Sequence, residues 1–572
     1  MTKQHVTDQE YAFAKRVWKT FNCKTLKDYL EIYLLADVLL LADIFENFRT
    51  NCYESYELDP LHYYSNAHFT FDAFLRYSGT KLELFTDPNM YFFISKGIRG
   101  GLSMVGGTRI SEANNKYMGK NFDTSKPSKY IMYFDCNNLY GIAMMEFLPH
   151  SSFEWIEPSC ELLREILTTA TDSDVGYILE VDLHYPAHLH DLHSDYPVAP
   201  EKRKVSKHEL SPFSKNIVSQ HNLTVGQAEK LMATLYDKER YILHYRNLQL
   251  YTSLGLQVSK VHRILKFNQK PSLREYIQYN TNRRAASSNN FDTNFYKFLS
   301  NSLFGKTLER PDSKTHIKLV NSIESYERLV AKLNFKSSKI INKNLVGIEM
   351  NLASLKINKP FYLGMAIMDI SKCHMYNFHY NVMKKFYGEK LKLLYTDTDS
   401  FIYEITTEDI YKDLASLKNN FDFSNYAENS SLFSMVNKKI PGYFKDECGG
   451  KLVHKFIGLR SKMYTLKMYE GSENVVKVAK GVKKPVIHHE LCFKDYEKCL
   501  VDFKEMEHDF FTLRSEAHHV FTTHQSKKSL SPYDDKRFYY NNFFSLPYGH
   551  YKNVAVSEAS FKTPCNDEQC NE

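Results

Sequence analysis

The sequence predicts an α+β protein built from several domains. Its 572 residues are enough for several folded units at roughly 100–200 residues per domain. Segments with strand and helix patterns follow one another without a regular βαβ alternation, which favours an α+β fold over a Rossmann fold or a barrel. Apolar residues make up 43% of the chain and charged residues 25%, and this composition excludes a wholly disordered protein.

The periodicity of apolar residues predicts the individual elements in chain order. Residues 24–49 have apolar side chains at helical spacing with charges opposite, so they are predicted as a helix. Residues 97–109 contain five of the 22 glycines and mark a boundary. The apolar run 129–134 leads into an aspartate and predicts a buried strand. Residues 186–221 are predicted as a loop, and residues 227–250 and 282–305 as helices. Residues 391–405 are predicted as a hairpin, and residues 438–524 as a basic, largely helical stretch.

Several classes of protein are excluded by sequence features. The first residues lack the apolar core of a secretory signal, and the longest apolar stretch, Tyr29–Phe45, contains three acidic residues and is too short to span a bilayer. The ten cysteines form no C-x-x-C pair, so neither a zinc ribbon nor a disulfide scaffold is predicted. No G-x-G-x-x-G, Walker A or H-E-x-x-H motif occurs. We expect a soluble, intracellular protein without membrane contact, in either the nucleus or the cytoplasm.

Two aspartates lie at the centre of the predicted hairpin. Asp397 and Asp399 are separated by one residue in a tight turn between two apolar strands. Like charges this close are unfavourable unless cations compensate them. Hard oxygen ligands on a rigid hairpin suit Mg²⁺, although aspartate also favours turns for reasons of backbone geometry alone.

Two other segments carry residues suited to a nucleotide. Asp135 leaves the end of a predicted buried strand, and Tyr140 follows five residues later. Lys297, Asn301 and Phe304 fall at positions i, i+4 and i+7 of a predicted helix, so they share one face. Taken alone, the first segment is equally an ordinary polar turn and the second a solvated helix face.

The three segments follow one another in the order of motifs A, B and C of family B DNA polymerases, and the sequence resembles that family over nearly its whole length. Within the family it is most similar to the protein-primed branch, which includes polymerases of bacteriophages, linear plasmids, adenoviruses and Maverick/Polinton-type mobile elements. Four further stretches are similar to parts of these polymerases. Tyr33-x-x-x-Asp37 is similar to the third exonuclease motif, and Ile98–Gly101 is similar to the YxGG linker. Lys462–Tyr464 is similar to the KxY motif, and residues 530–551 are similar to the C-terminal portion of the mobile-element polymerases.

The resemblance implies a right-hand fold of palm, fingers and thumb with an N-terminal exonuclease remnant. It also implies two Mg²⁺ ions, or Mn²⁺ in their place, held by Asp135, Asp399 and the backbone carbonyl of Cys136. Asp397 would be a supporting catalytic residue.

The resemblance further implies the residues that bind the dNTP and the DNA. Lys297 would contact the triphosphate, with Arg283 on the same face if one helix ran through both. Asn301 and Phe304 would shape the nascent base pair, and Tyr140 would exclude ribonucleotides as a steric gate. Contacts to primer or template would come from the linker and the KxY motif: Arg99, Gly100, Gly101, Lys462 and Tyr464.

The sequence departs from the family at several positions. Asn138 and Gly141 replace the usual Ser and Pro of motif A, and Phe304 replaces the usual Tyr of motif B. Only 32 residues precede Tyr33, so we expect Tyr33 and Asp37 to be exonuclease remnants without 3′→5′ exonuclease activity. The D-x-E spelling at Asp8–Glu10 lies too near Asp37 to be the first exonuclease motif and is interpreted as coincidence.

The expected domains follow from the positions of these motifs. They are an exonuclease remnant with a helical connection (1–96), the first part of the palm (97–185), an insertion similar to the terminal-protein region (186–268), fingers (269–310), a second insertion (311–360), the second part of the palm (361–437) and the thumb with the C-terminal region (438–572).

We therefore expect a template-directed, protein-primed DNA polymerase of a mobile element, plasmid or virus. Its partners would be primer–template DNA, dNTPs and a terminal primer protein encoded elsewhere. A decayed fragment that only binds DNA is the alternative, and the sequence leaves the priming mode open. Residues 438–484 carry twelve Lys or Arg against four acidic residues, whereas the whole chain has a net charge of +7. This basic stripe is expected to track a phosphate backbone.

Overall fold

Four helices form the N-terminal region. The computed structural model describes residues 5–226, 228–311, 315–352, 354, 356–469, 475–516, 519–554 and 556. The helix predicted over 24–49 is present and continues to Tyr56, and Thr7 and Thr25 begin the first two helices with capping boxes. Glu10 belongs to the first of these boxes, so the D-x-E spelling is a helix start. The helices are α1 (Asp8–Thr20), α2 (Leu26–Tyr56), α3 (Asn66–Ser78) and α4 (Pro88–Gly97). None of the described helices is both long and apolar enough to cross a membrane.

The next segment alternates between strands and short helices. The apolar run predicted as a strand is extended and buried, and it ends just after Asp135. The elements are β1 (Ser103–Val105), β2 (Ile110–Glu112), β3 (Lys129–Cys136), α5 (Leu139–Met144), β4 (Leu148–Ile156), α6 (Cys160–Thr168) and β5 (Val175–His184).

The helix predicted over 227–250 is wrong in its first part. Residues 238–244 form a strand because the run Tyr241–His244 is buried and pairs with β5, and a short apolar run does not by itself distinguish strand from helix. The predicted loop 186–221 is largely irregular. The elements are β6 (Glu201–Arg203), α7 (Pro212–Gln220), β7 (Lys230–Met232), β8 (Lys238–His244), α8 (Tyr245–Ser253) and β9 (Gln257–Lys270).

One sheet has the strand order β4-β9-β5-β8. Its strands β4 and β5 lie before residue 186 and its strands β8 and β9 lie after it. The expected boundary between palm and first insertion at residues 185 and 186 falls between strands of this one sheet.

The region predicted as one helix over 282–305 is two helices with a break at residues 287–289. A small sheet of order β10-β12-β11 follows, with its own apolar core. The elements up to the predicted hairpin are α9 (Arg274–Ala286), α10 (Asn290–Thr307), β10 (His316–Val320), α11 (Ile323–Val330), β11 (Phe335–Asn342), β12 (Leu345–Met350), α12 (Phe361–Asn377) and α13 (Lys385–Tyr387).

The hairpin predicted over 391–405 is confirmed. The prediction that 438–524 is largely helical is wrong, because strands outnumber helices among its described residues and their apolar side chains fill two cores. The elements are β13 (Leu391–Asp397), β14 (Ser400–Thr406), α14 (Ile410–Ser416), β15 (Phe421–Asp422), β16 (Phe444–Asp446), β17 (Val453–Arg460), β18 (Met463–Met468), β19 (Val475–Ala479), α15 (Lys484–His489), α16 (Phe493–Val501), β20 (Met506–Glu516), β21 (His519–Leu530), β22 (Phe538–Tyr539) and β23 (Ser545–Leu546).

A six-stranded sheet of order β1-β13-β14-β3-β16-β15 lies at the centre of the fold. Aromatic rings pack against it, and Phe378 stacks on Phe444 of β16 with ring centroids 3.5 Å apart. Because β16 pairs with β3, the segment after residue 437 begins inside this sheet. The expected boundary between palm and thumb at residues 437 and 438 therefore separates β16 from the other strands of this sheet, which lie before the boundary. Residues 557–572, the end of the expected C-terminal region, lie outside the described residues.

Candidate active site

Two aspartates meet at one edge of the central sheet. Strands β3 and β14 pair with Asp135 opposite Ser400, and the amide of Cys136 donates to the carbonyl of Asp399 at 2.7 Å. The side chains of Asp135 and Asp399 line the same cavity. Motifs that are more than 260 residues apart in sequence are thus brought together by strand pairing.

The turn that carries Asp399 has a strained backbone. Thr398 has φ +65°, which is unusual for a β-branched residue, and its amide donates to the carbonyl of Leu102 at 2.8 Å. A Cβ at Gly101 would lie 2.2 Å from the Oγ1 of Thr398. Glycine at position 101 therefore allows the linker to support the turn. At Gly100 a Cβ would meet no atom within 4 Å.

Burial and like charge act on both aspartates. Burial, Asp399 and Glu447 raise the pKa of Asp135 to about 7, against the opposing effect of Lys445 and Lys297. Burial also raises the pKa of Asp399, with Asp397 and Glu447 acting in the same direction. Two partly buried carboxylates that line one cavity suit a divalent cation, which favours their ionised forms. Within the described residues, no group of three or more His, Cys, Asp or Glu side chains is placed to hold a metal ion.

The cavity beside the aspartates has a volume of about 720 Å³. Helix α10 buries Phe295, Leu299 and Leu303 in the apolar core. Its opposite face presents Lys297, Asn301 and Phe304 to the cavity. The three residues that the sequence placed on one helix face therefore line the same space as Asp135, Cys136 and Asp399.

Tyr140 lies in this cavity and stacks on Phe304, with ring centroids 3.9 Å apart and planes at 14°. Its backbone is set by Asn138, which has φ +47° and begins α5. The Asn138 side chain accepts a hydrogen bond from the amide of Gly141 at 3.2 Å. A Cβ at Gly141 would lie 2.0 Å from the Asn138 Nδ2. The departures at positions 138 and 141 are therefore coupled in space.

Arg283 does not lie with Lys297 as expected. The break between α9 and α10 interrupts the helix on which the shared face depended, and the Arg283 Nε donates to the hydroxyl of Tyr296 at 3.0 Å. Its neighbour Arg284 lines the cavity instead. The Nε of Arg284 is buried and has no hydrogen-bond partner among the described residues.

The residues expected to bind DNA differ in what they contact. The Lys462 Nζ forms an ion pair with Asp397 at 2.9 Å. Tyr464 is buried, and its hydroxyl lies 3.1 Å from that of Tyr133. Arg99 is buried, donates to the carbonyl of Ile242 at 2.6 Å and packs over the ring of Tyr241. The side chain of Arg99 therefore makes structural contacts within the protein, whereas it was expected to contact DNA.

A family model of DNA polymerase type B, organellar and viral, matches residues 2–384, about two thirds of the chain. The chain belongs to this family. It is therefore a DNA-directed DNA polymerase.

Solved structures of phi29 DNA polymerase have the same fold. The complex with primer-template DNA and incoming nucleotides is 16% identical over 92% of this chain and 73% of that chain, with a TM-score of 0.52. The orthorhombic crystal form is 14% identical with the same coverage and a TM-score of 0.53. The chain thus has the palm, fingers and thumb of a polymerase. No curated protein sequence matches it.

The two residues that were expected to be an exonuclease remnant do not line the cavity. Tyr33 and Asp37 are both exposed on α2, one helical turn from each other. The apolar side chains around them, including Leu34 and Val38, are also exposed. Neither residue lies beside the aspartate pair of the central sheet.

Sequence reasoning missed several residues that line the cavity of this polymerase. Besides Arg284, they include Asp422, Lys438, Lys439 and Lys445. The three lysines belong to the basic stripe of residues 438–484, which was expected to form a thumb. The pairing of β16 with β3 sets Lys445 opposite Asp135 instead, and Lys438 and Lys439 line the same cavity. Glu470 and Glu473 of the same stripe lie outside the described residues.

Proposed function

We propose that this polymerase adds dNTPs to a primer 3′-hydroxyl by two-metal phosphoryl transfer in the cavity between the central sheet and α10. One observation carries the proposal. Asp135 and Asp399 end adjacent strands and line one cavity with Lys297, Asn301 and Phe304 of the facing helix. Phosphoryl transfer depends mainly on alignment and charge neutralisation, and this cavity offers groups for both.

Asp135, Asp399 and the carbonyl of Cys136 would hold two Mg²⁺ ions, or Mn²⁺ in their place. Bound there, the ions would lower the pKa of the primer hydroxyl and neutralise the triphosphate. The raised pKa values of the two aspartates support this assignment, because the neighbouring lysines Lys297, Lys445 and Lys462 only partly offset burial and the like charges of the pair. Asp397 would act indirectly, since it is paired with Lys462.

Different side chains of the cavity would contact different parts of the nucleotide. Lys297 lines the same cavity as Asp135 and Asp399, so it would bind the triphosphate. Asn301 and Phe304 would contact the nascent base pair. Tyr140 would occupy the space of a ribose 2′-hydroxyl, and its stack on Phe304 supports this role because the two rings fix each other.

The DNA would run over the edge of the sheet beside the turn at Thr398. Lys462 lies close to the catalytic turn through Asp397 and would reach the primer terminus from there. Tyr464 would support Lys462 from within the sheet, and Gly100 and Gly101 would let the linker lie under the turn. Strands β20 and β21 form a long two-stranded hairpin that would serve as the thumb.

We also propose that replication is protein-primed and that the template is the DNA of a mobile element, plasmid or virus. The small sheet of residues 316–350 and the sheet formed by β4, β9, β5 and β8 would correspond to the two insertions of the protein-primed branch. A terminal protein would bind the sheet formed by β4, β9, β5 and β8. We also propose that the chain has no 3′→5′ exonuclease activity, because Asp37 is exposed on α2 and, in the part of the chain that the structure describes, belongs to no group of three or more His, Cys, Asp or Glu side chains that could hold a metal ion.

A primer-extension assay tests the proposed function. The full chain, a primed DNA template, Mg²⁺ and dNTPs should give an extended primer. Replacing the DNA primer with a candidate terminal protein that carries a free hydroxyl tests the priming mode separately. A chain that binds primer–template DNA but extends neither primer would be the decayed fragment of the alternative interpretation.

A further inference from the structure

The returning segment (residues 531–552) leads from strand β21 back to the central sheet. It lies along the loop that follows β1, the edge strand of that sheet. Thr108 forms an isolated β-bridge with Phe544, and the amide of Ser545 donates to the carbonyl of Gly107 at 2.9 Å. The returning segment therefore covers part of an edge whose backbone groups would otherwise be open to pairing.

Lys536 of the returning segment contacts β1 at the end nearest the turn at Thr398. Its Nζ donates to the carbonyl of Ser103 at 2.7 Å, and Ser103 pairs with Asp397 of β13. The preceding carbonyl, that of Leu102, accepts a hydrogen bond from the Thr398 amide, and successive carbonyls of an extended chain point to opposite sides. The Ser103 carbonyl therefore faces away from β13, and Lys536 satisfies it from outside the sheet.

The side chain of Ser103 connects the same point to Lys462. The Ser461 Oγ donates to the Ser103 Oγ at 2.8 Å, and the Ser103 Oγ lies 3.1 Å from the hydroxyl of Tyr395. That hydroxyl accepts a hydrogen bond from the amide of Lys462 at 2.8 Å. Lys462 has φ +57°, a conformation that persists only where the surrounding structure holds it. Ser103 is therefore the residue at which the returning segment, β13 and the turn at Lys462 meet.

The ammonium group of Lys536 is partly buried, and in the described part of the chain its hydrogen-bond acceptor is the Ser103 carbonyl. Burial lowers the pKa of Lys536, whereas Asp534, Asp535 and Asp397 act in the opposite direction. A hydrogen bond from a charged donor is stronger than one between neutral groups. The contact with Ser103 is therefore a firm link between the returning segment and the edge of the sheet.

We propose that Lys536 is a positioning residue for the primer end, and that it acts through Ser103 on the turn at Lys462. The proposal rests on the proposed function, in which Lys462 reaches the primer terminus. Lys536 holds the outer edge of β1 in place. This fixes the hydroxyl of Ser103 and, through Ser461, the turn from which Lys462 approaches the primer. Lys536 itself contacts neither the DNA nor the nucleotide in this arrangement.

The test is single-nucleotide incorporation by the full chain on a primed template. Lys536→Met keeps the length of the side chain and removes the ammonium group. The maximal rate should fall about tenfold, the effect of losing one hydrogen bond to a charged group, while the Michaelis constant for the dNTP stays within about twofold. Lys536→Arg keeps the charge and the donors and should recover most of the rate. An unchanged rate in Lys536→Met, or no recovery in Lys536→Arg, would overturn the proposal.

Lys552→Gln is the matched control for a general loosening of the returning segment. Lys552 lies at the far end of the segment, is exposed and forms an ion pair with Asp191. Because an exposed ion pair contributes little, the maximal rate of this variant should stay within about twofold of the wild type. A rate as low as that of Lys536→Met would show that any loosening of the segment slows the enzyme, and the positioning role would be refuted.

A double-mutant cycle with Ser103→Ala shows whether Lys536 acts through Ser103. Ser103→Ala removes the hydroxyl that contacts Ser461 and Tyr395 and leaves the backbone carbonyl in place. Both single variants interrupt the same chain of contacts, so the double variant should be no slower than the slower single variant. Effects that multiply would overturn the proposal. A salt slope of DNA binding reduced by about one in Lys536→Met would also overturn it and assign the ammonium group to a phosphate of the DNA.

A fluorescent base analogue at the 3′ end of a dideoxy-terminated primer separates this proposal from the proposed function, because it reports the position of the primer end without turnover. Lys536→Met should weaken the fluorescence change on binding, while the affinity for the primer–template stays within a few-fold. If the wild type does not extend a primer but differs from Lys536→Met in this signal, the proposed function fails and the positioning of the DNA end is supported. If the wild type extends the primer and Lys536→Met matches it in signal and rate, the positioning role alone is refuted.

Discussion

Gly141→Ala should damage the nucleotide site through Asn138. The new Cβ would lie 2.0 Å from the Asn138 Nδ2, which must retreat by about 1.4 Å to reach the 3.4 Å of ordinary contact. That movement breaks the 3.2 Å hydrogen bond from the Gly141 amide. Losing a helix cap of this kind costs about 1 kcal/mol, and the left-handed backbone of Asn138 loses its support as well. A total of about 1–2 kcal/mol corresponds to a factor of roughly 5–30.

The assay is single-nucleotide incorporation on a primed template. Because the disturbed residues flank Tyr140, the Michaelis constant for the dNTP should rise by roughly tenfold, with a smaller change in the maximal rate. Asn138→Gly removes the clashing amide and still allows φ +47°, so by itself it should cost only a few tenths of a kcal/mol. The double variant should therefore behave like Asn138→Gly. An unchanged Michaelis constant in Gly141→Ala, or a double variant as impaired as Gly141→Ala, would refute the coupling between positions 138 and 141.

Three other predictions concern the sugar, the primer end and pH. Tyr140→Val should lower the preference for dNTP over rNTP by about tenfold or more in competition assays, and an unchanged preference removes Tyr140 as the gate. A mismatched 3′ end should survive incubation without dNTPs, and visible shortening on a gel would contradict the proposed lack of exonuclease activity. Because the pKa of Asp135 is raised to about 7, Mg²⁺ must displace a proton at lower pH. Calorimetry without nucleotide should show Mg²⁺ affinity falling below pH 7 and levelling off above it, whereas a constant affinity from pH 5 to 8 would contradict the shift.

The same pKa shift has a consequence for the metal-free protein. Because the folded-state pKa of Asp135 lies above its ordinary value of 3.8, the folded chain holds an extra proton between about pH 4 and pH 7. The contribution of Asp135 to stability therefore falls as pH rises through this window and is constant above it.

The residues of the three motifs could be predicted from sequence because each motif is local. Asp135, Tyr140, Asp397 and Asp399 follow apolar runs that form strands, and the spacing of Lys297 and Asn301 is that of one helix face. Arg283 shows the limit of this reasoning. Its predicted position depended on an unbroken helix, and the break at residues 287–289 placed Arg284 in the cavity instead.

The position of Lys438 and Lys439 in the cavity could not be predicted, because it depends on pairing between distant segments. Lys438 and Lys439 form part of a basic stripe that is typical of a DNA-binding surface. Nothing in their local pattern indicates that β16 pairs with β3. The helix content of 438–524 was overestimated for a related reason, since short apolar runs such as Phe456–Leu459 become strands through contacts with remote partners like β2.

The most direct test of the central claim is primer extension by Asp399→Asn beside the wild type, with primer–template affinity measured for both. The substitution keeps the size of the side chain and removes the charge that would hold Mg²⁺. The account predicts that the wild type extends the primer, that Asp399→Asn does not, and that both bind DNA with affinities within a few-fold. Extension by Asp399→Asn at the wild-type rate, or an equal loss of binding and extension, would contradict the assignment of the metal site to this pair of aspartates.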